Sequence, residues 1–120
     1  MAVSPRLAAL AVVSGAALLL PAVGAAAPTP LKGKVGPGFT ISLKKGTAAV
    51  TKLPAGQYKI TVNDLSDFHN FHLTGPGVDK VITTIPGTGM STAKVTLAKG
   101  TYTFLCDAHP TLMVKTFMVK

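Results

Sequence analysis

Val95-Thr96-Leu97-Ala98-Lys99-Gly100-Thr101-Tyr102-Thr103-Phe104-Leu105-Cys106 is the stretch that decides how this 120-residue chain folds. Val95 and Leu97 alternate with lysine and threonine. Lys99-Gly100 makes a tight turn, and Tyr102, Phe104 and Cys106 then share one face of the next run. A side-chain period of two places successive residues on opposite faces, so each run reads as a strand with one face toward a core. The same pattern recurs upstream. Phe39-Thr40-Ile41-Ser42-Leu43 alternates and is turned by Lys44-Lys45-Gly46. After Pro54-Ala55-Gly56, Tyr58, Ile60 and Val62 alternate with Lys59, Thr61 and Asn63. Phe71 and Leu73 make a short strand that ends at Thr74-Gly75-Pro76-Gly77, and Val81 to Ile85 reads as a short edge strand before Pro86-Gly87. Phe117 and Val119 alternate at the end of the chain. Short alternating runs between turn residues indicate a sandwich or barrel, and no run of helical period competes beyond the N-terminal segment. The expected fold is all-β, an antiparallel Greek-key β-sandwich.

The N-terminal segment has a different character. Arg6 supplies a positive charge, Leu7 to Leu20 are apolar apart from Ser14 and Gly15, and Pro21 leads into the small residues Val23, Gly24, Ala25, Ala26 and Ala27. That order is the pattern of a secretory signal peptide, placed at 1–26. An uncleaved membrane anchor is the alternative, because the apolar stretch nearly reaches a spanning length. No cysteine lies near the boundary to accept a lipid. Residues 27–36 read as a linker and strand lead-in, with Ala26 to Pro30 having little reason to be ordered, and 37–120 as the domain. The expected product is secreted, extracellular or in the periplasm or cell envelope, monomeric, and without stable membrane insertion after cleavage.

The formal net charge is +8, from Arg6 and eleven lysines against Asp64, Asp67, Asp79 and Asp107. Basic surfaces attract nucleic acid, acidic lipid or acidic proteins. An exported chain meets little nucleic acid, and the lysines are scattered without arginine forks or interleaved aromatics. No nucleic-acid partner is expected. Solvated surface explains most of the lysines, and an acidic redox partner or the cell envelope remains as a further reading.

A small secreted domain often carries paired cysteines, but this one has Cys106 alone. A single thiol outside the cell survives if it is buried or if something occupies its sulfur. Strand phase puts Cys106 inward at a strand end, and the chain then turns through Asp107 and Ala108 and returns with His109 and Met113. Thiolate, imidazole and thioether gathered on one closing turn favour copper, because a trigonal site of one Cys and two His with a long axial Met is the blue-copper arrangement. The second imidazole has two candidates. His69 is in phase with Phe71 and Leu73, whereas His72 is in phase with Phe68 and Asn70; parity favours His69 and keeps His72 in reserve. Taken singly, a lone Cys is often a small buried hydrophobe and a Met is often core filler; Met90 and Met118 stay unassigned. One Cys with two His makes a poor structural zinc site.

Asp67-Phe68-His69-Asn70-Phe71 and Tyr102-Thr103-Phe104-Leu105-Cys106-Asp107-Ala108-His109-Pro110, with Met113 and the closing strand, resemble the cupredoxins, the group of plastocyanin, pseudoazurin, amicyanin and azurin. The resemblance covers nearly the whole chain after the N-terminal segment, in strand order. It implies one type 1 copper ion held by His69, Cys106, His109 and Met113, and an Asn70 side chain that ties the two ligand loops together. It also implies single-electron carriage between a redox protein donor and acceptor. An enzyme is not expected, because a saturated site offers a substrate no open position and one small domain lacks the second copper centre of multicopper oxidases. The Cys-to-His gap resembles plastocyanin and amicyanin, and the His-to-Met gap resembles azurin. Val114-Lys115 stands where many relatives have Lys-Gly, and no acidic patch of the plant plastocyanin kind is present. Thr83 to Met90 matches no pattern. A copper-binding or copper-delivery protein without an electron-carrier role is the alternative, with His72, Met90 and Met118 as spare ligand types. A metal-free adhesion module is a third reading, disfavoured because all four ligand types are present.

Overall fold

The computed structural model describes residues 26–120; the signal-peptide reading of 1–26 falls almost wholly outside them. Ten strands, β1 (Thr29–Val35), β2 (Ile41–Lys45), β3 (Ala48–Ala49), β4 (Lys52–Leu53), β5 (Gly56–Asp64), β6 (Phe71–Gly75), β7 (Val78–Thr83), β8 (Gly89–Leu97), β9 (Gly100–Leu105) and β10 (Val114–Val119), account for its regular structure. They form two five-stranded sheets in the orders β3-β2-β1-β5-β8 and β4-β10-β9-β6-β7. The all-β sandwich expected from the alternation is present.

Alternation is visible strand by strand. Leu31 and Val35 of β1, Ile41 and Leu43 of β2, and Tyr58, Ile60 and Val62 of β5 are buried and face Phe71 and Leu73 of β6, Tyr102 and Phe104 of β9, and Phe117 and Val119 of β10. Each buried apolar side chain contributes about 1.5–3 kcal/mol relative to exposure. Aromatic rings fill the centre. Phe71 stacks on Phe104 with centroids 5.2 Å apart, and Tyr102 stacks on Phe117 at 5.5 Å.

Four details depart from the expectation. The sheets are mixed, not purely antiparallel: β1 runs parallel to β5, and β10 runs parallel to β4. Residue alternation is the same in either direction, so parity cannot report strand orientation. Thr29 and Pro30, assigned to a segment with little reason to be ordered, already belong to β1, which pairs with both β2 and β5 and is the central strand of its sheet. Phe39 and Thr40 lie outside the strand read as Phe39 to Leu43, which begins at Ile41. The edge strand read at Val81 to Ile85 runs instead from Val78 to Thr83.

The turn at Lys99-Gly100 has a role that alternation alone does not reveal. It joins β8 of one sheet to β9 of the other, so it carries the chain across the core. Tyr102 braces this crossing: its hydroxyl accepts from the Ala98 N–H at 2.9 Å and donates to the Pro76 carbonyl at 2.7 Å. Gly75 lies flat against the same ring, and a Cβ there would sit 2.1 Å from Tyr102 Cδ2. The ring is held by two hydrogen bonds and by Phe117, so it has little room to give. Gly75→Ala is therefore expected to cost about 3 kcal/mol, read as a lower midpoint in urea unfolding with an unchanged slope. Retained stability would show that the ring can move.

Candidate metal centre

Two loops at one end of the sandwich bring the predicted residues together. The first leaves β5 at Asp64, whose Oδ1 accepts from the Ser66 N–H at 3.1 Å; the Ser66 hydroxyl in turn accepts from the Phe68 N–H at 3.2 Å. These side-chain turns replace the ladder that the strand has left, and they deliver His69 and Asn70, both buried, just before β6. The second loop leaves β9. There the Cys106 carbonyl accepts from the His109 N–H at 3.0 Å, and the His109 carbonyl accepts from the Met113 N–H at 2.9 Å. The Met113 carbonyl accepts from the Cys106 N–H at 3.0 Å. This closed circuit makes the Cys106–Met113 spacing a rigid turn.

His69, Cys106 and His109 converge, with one potential ligand atom from each lying within 4.8 Å of the others. The Nδ1 atoms of His69 and His109 are each 3.8 Å from Cys106 Sγ, and the two imidazoles meet edge to face at 4.9 Å. Cys106 and Met113 are completely enclosed, whereas His109 is only half-buried and faces outward. A thiol and two imidazoles in a shared apolar enclosure are a donor set suited to a soft or borderline transition metal.

Parity separated the two histidines for a partly different reason than the true one. His69 and Asn70 both lie ahead of β6 and are both buried, so they do not alternate. His72 is on the strand and does point away. Its Nδ1 meets Asp107 Oδ1 at 2.9 Å and its Nε2 meets Asp79, so it takes no part in the cluster. Carboxylates only accept hydrogen bonds, so a ring flanked by two of them is suited to the doubly protonated imidazolium. Desolvation opposes that charge, but the hydrogen bonds to Asp107 and Asp79 outweigh it and raise the His72 pKa above 6.5. The hydrogen bond from His72, followed by that from Asn70, lowers the pKa of Asp107.

Asn70 makes the tie between the loops. Its Nδ2 donates to Asp107 Oδ2 at 2.7 Å, and its Oδ1 accepts from the Asp107 N–H at 2.7 Å. Asp107 thus connects Asn70, His72 and the Cys106 turn, a role not assigned from sequence. Its position next to the only cysteine, in a chain with four acidic residues, was the available signal. Phe39 was also missed. It caps both imidazoles, 5.7 Å from His69 and 4.9 Å from His109. A tight loop presents it: Gly36 and Gly38 take φ of 75° and 67°, and the Gly36 N–H donates to the Thr40 carbonyl at 2.8 Å. Positive φ there suits glycine. Phe39, Phe68, Ile85 and Ala108 border a cleft of about 560 Å³ beside His69 and His109.

The His72 bridge has a pH signature. A raised His pKa stabilises the fold fully below the unfolded value near 6.5, and this contribution is lost as pH rises through the folded value. The lowered Asp107 pKa stabilises above the ordinary carboxylate value, and this is lost as pH falls through the folded one. The bridge is therefore strongest between about pH 4 and pH 6.5. The melting-temperature advantage of the parent over His72→Gln should peak in that window and shrink toward pH 8; a pH-independent difference would count against the bridge.

The fold is that of the cupredoxins, with a His–Cys–His cluster where two loops meet at one end of the sandwich. Solved structures of similar fold include rusticyanin from Thiobacillus ferrooxidans, at 19% identity over 76% of each chain with a TM-score of 0.53. Reduced rusticyanin aligns at 20% identity over 76% of this chain and 78% of that one, with a TM-score of 0.55. Auracyanin A, a "blue" copper protein of Chloroflexus aurantiacus, aligns at 18% identity over 78% of this chain and all of its own, with a TM-score of 0.56. No protein-family description and no curated protein sequence matched.

Proposed function

We propose that this chain binds one type 1 copper ion and carries single electrons between redox proteins outside the cytoplasm. The observation that carries this reading is the convergence of the His69 and His109 Nδ1 atoms on Cys106 Sγ. Cys106 would supply the thiolate, His69 and His109 the two imidazoles, and Met113, buried on the same turn, a thioether. Copper bound there would supply a one-electron couple. The protein's part is to hold the donors in one arrangement through the hydrogen-bonded turn and the Asn70–Asp107 tie, which keeps rearrangement between oxidation states small. Four protein donors would leave a substrate no open position on the metal, which argues against an enzyme. The exported location rests on the pattern of residues 1–26.

Electrons would pass at His109, the half-exposed member of the cluster. Around it lie Phe39, Phe68, Ile85 and Leu112, all exposed, with Ala108 and Pro110. An exposed apolar surface around a redox ligand suits brief docking with a partner protein. Leu112→Glu should slow electron exchange about tenfold or more by placing a charge in a desolvated contact, without changing the copper spectrum. Unchanged rates would remove Leu112 from the docking surface.

Copper delivery is the rival reading. Its spare ligand types do not gather at the site: His72 is engaged by two carboxylates, and Met90 and Met118 are exposed on strands β8 and β10. A redox titration separates the two functions. A carrier shows a reversible one-electron couple and keeps its metal in the presence of an apo acceptor; a delivery protein surrenders it.

A further inference from the structure

The outer face of the β3-β2-β1-β5-β8 sheet is charged in a way that neither the fold nor the metal site requires. Lys32 and Lys34 of β1, Lys44 of β2, Lys59 of β5 and Lys94 of β8 all project from it and are exposed. Strand register places Lys32 directly opposite Lys44, and Lys59 directly opposite Lys94. Side chains directly opposite on neighbouring strands are about 5 Å apart at Cβ, where like charges destabilise a sheet. Of the four carboxylates only Asp79 comes near one of these lysines, bordering a cleft with Lys94 at the sheet edge, and it forms no ion pair with it. Asp64 points into the core, Asp67 lies in the loop before His69, Asp79 is on the other sheet, and Asp107 is on the Cys106 turn. Among the described residues no lysine makes an ion pair.

The rest of the face is small and polar. Ser42, Thr61, Asn63 and Thr92 lie between the lysines, and Met90 is its one large exposed apolar side chain. Aromatic and arginine anchors, which dominate specific protein–protein contacts, are absent from it. A broad face with five positive charges, no negative charge and no anchor is complementary to an extended anionic plane.

We propose that this sheet face is a docking surface for an anionic phospholipid bilayer. The lysines would lie among the headgroups with Met90 at their level. Attraction of this kind adds lysine by lysine and needs no shaped pocket. The arrangement also serves the far end of the molecule. The cluster loops lie at the end of the sandwich where Val35 pairs with Ile41 and Asp64 pairs with Gly89, so a protein lying on this face keeps the Phe39 and His109 surface open to one side. The proposal does not depend on the copper reading, since no lysine of the face contributes to the cluster.

The test is co-sedimentation of residues 27–120, which hold all ten strands and lack the apolar N-terminal segment, with vesicles of phosphatidylcholine alone or mixed with phosphatidylglycerol. Each lysine near such a surface strengthens binding by about fivefold at most. Changing all five to Gln should weaken binding to the mixed vesicles by about a hundredfold or more, whereas changing Lys52, Lys80, Lys99, Lys115 and Lys120 to Gln should have much less effect. Binding by the parent should also fall steeply as salt rises past about 0.1 M. Circular dichroism of both variants verifies that the sandwich is intact. Equal binding to phosphatidylcholine alone, equal losses in the two variants, or lysine-dependent binding to DNA or an acidic protein with none to the vesicles would each overturn the proposal. The result should be the same with and without added copper, which separates this proposal from the function of the cluster.

Discussion

Cys106→Ala is expected to leave a folded, colourless protein. On the copper reading, Cu(II) added to the parent chain produces an intense visible band that depends on the Cys106 thiolate, and the substitution removes that band completely. The remaining donors, His69, His109 and Met113, lack the negative soft ligand that selects copper at such a site. The fold should be little affected. The cysteine is a small buried side chain at the end of β9, so losing its sulfur costs about 1 kcal/mol, and the turn is held by backbone bonds among Cys106, His109 and Met113 that alanine retains. Titration with Cu(II), followed by visible absorption and by unfolding of the metal-free form, measures both quantities. A colourless parent whose thiol titrates freely with added copper present would sink the assignment.

Asn70→Ala should weaken copper binding more than any other change outside the cluster, and destabilise the fold as well. It deletes two hydrogen bonds at 2.7 Å, one of them to a carboxylate, at a side chain that is almost fully buried. Bonds to charged groups contribute more than neutral ones, and the pair together should be worth about 3 kcal/mol. Because Asn70 follows His69 directly and Asp107 follows Cys106, the loss also frees the two cluster loops from each other. Copper affinity should then fall by about 10- to 100-fold, the range usual for residues that orient metal ligands. Asn70→Asp preserves size but sets two carboxylates against each other, so it should do at least as much harm at neutral pH. Denaturant unfolding of the metal-free protein and competition for copper against a chelator would measure the two effects. Full stability in Asn70→Ala would mean that the loops are held by the cleft residues instead.

Much of this was legible because alternation is a local property. Tyr102 and Phe104, Ile60 and Val62, and Phe117 and Val119 announce their buried faces from sequence, since a period-two strand with one face against a core has few other solutions. The Cys106, His109 and Met113 spacing was readable for the same reason: it lies on one turn, and the backbone bonds that close it span only a few residues. Sequence alone therefore determined the β class, the core faces and the chemistry of the cluster's second loop.

Long-range pairing decided the rest. Parallel and antiparallel neighbours leave identical alternation, so only the assembled sheets show β1 beside β5 and β4 beside β10. The Lys99-Gly100 turn looks the same whether it joins strands of one sheet or of two, and only the pairing of β8 with β5 and of β9 with β6 and β10 shows that it crosses the core. His69 was distinguished from His72 by parity, but what holds them apart is the pair of carboxylates on His72, brought from β7 and from the Cys106 turn. Phe39 reaches the imidazoles from a loop thirty residues upstream of His69, and the five lysines become one face only when four strands align. Side-chain chemistry is written residue by residue, whereas its convergence depends on contacts between residues far apart in the chain, and those exist only once the sandwich has closed.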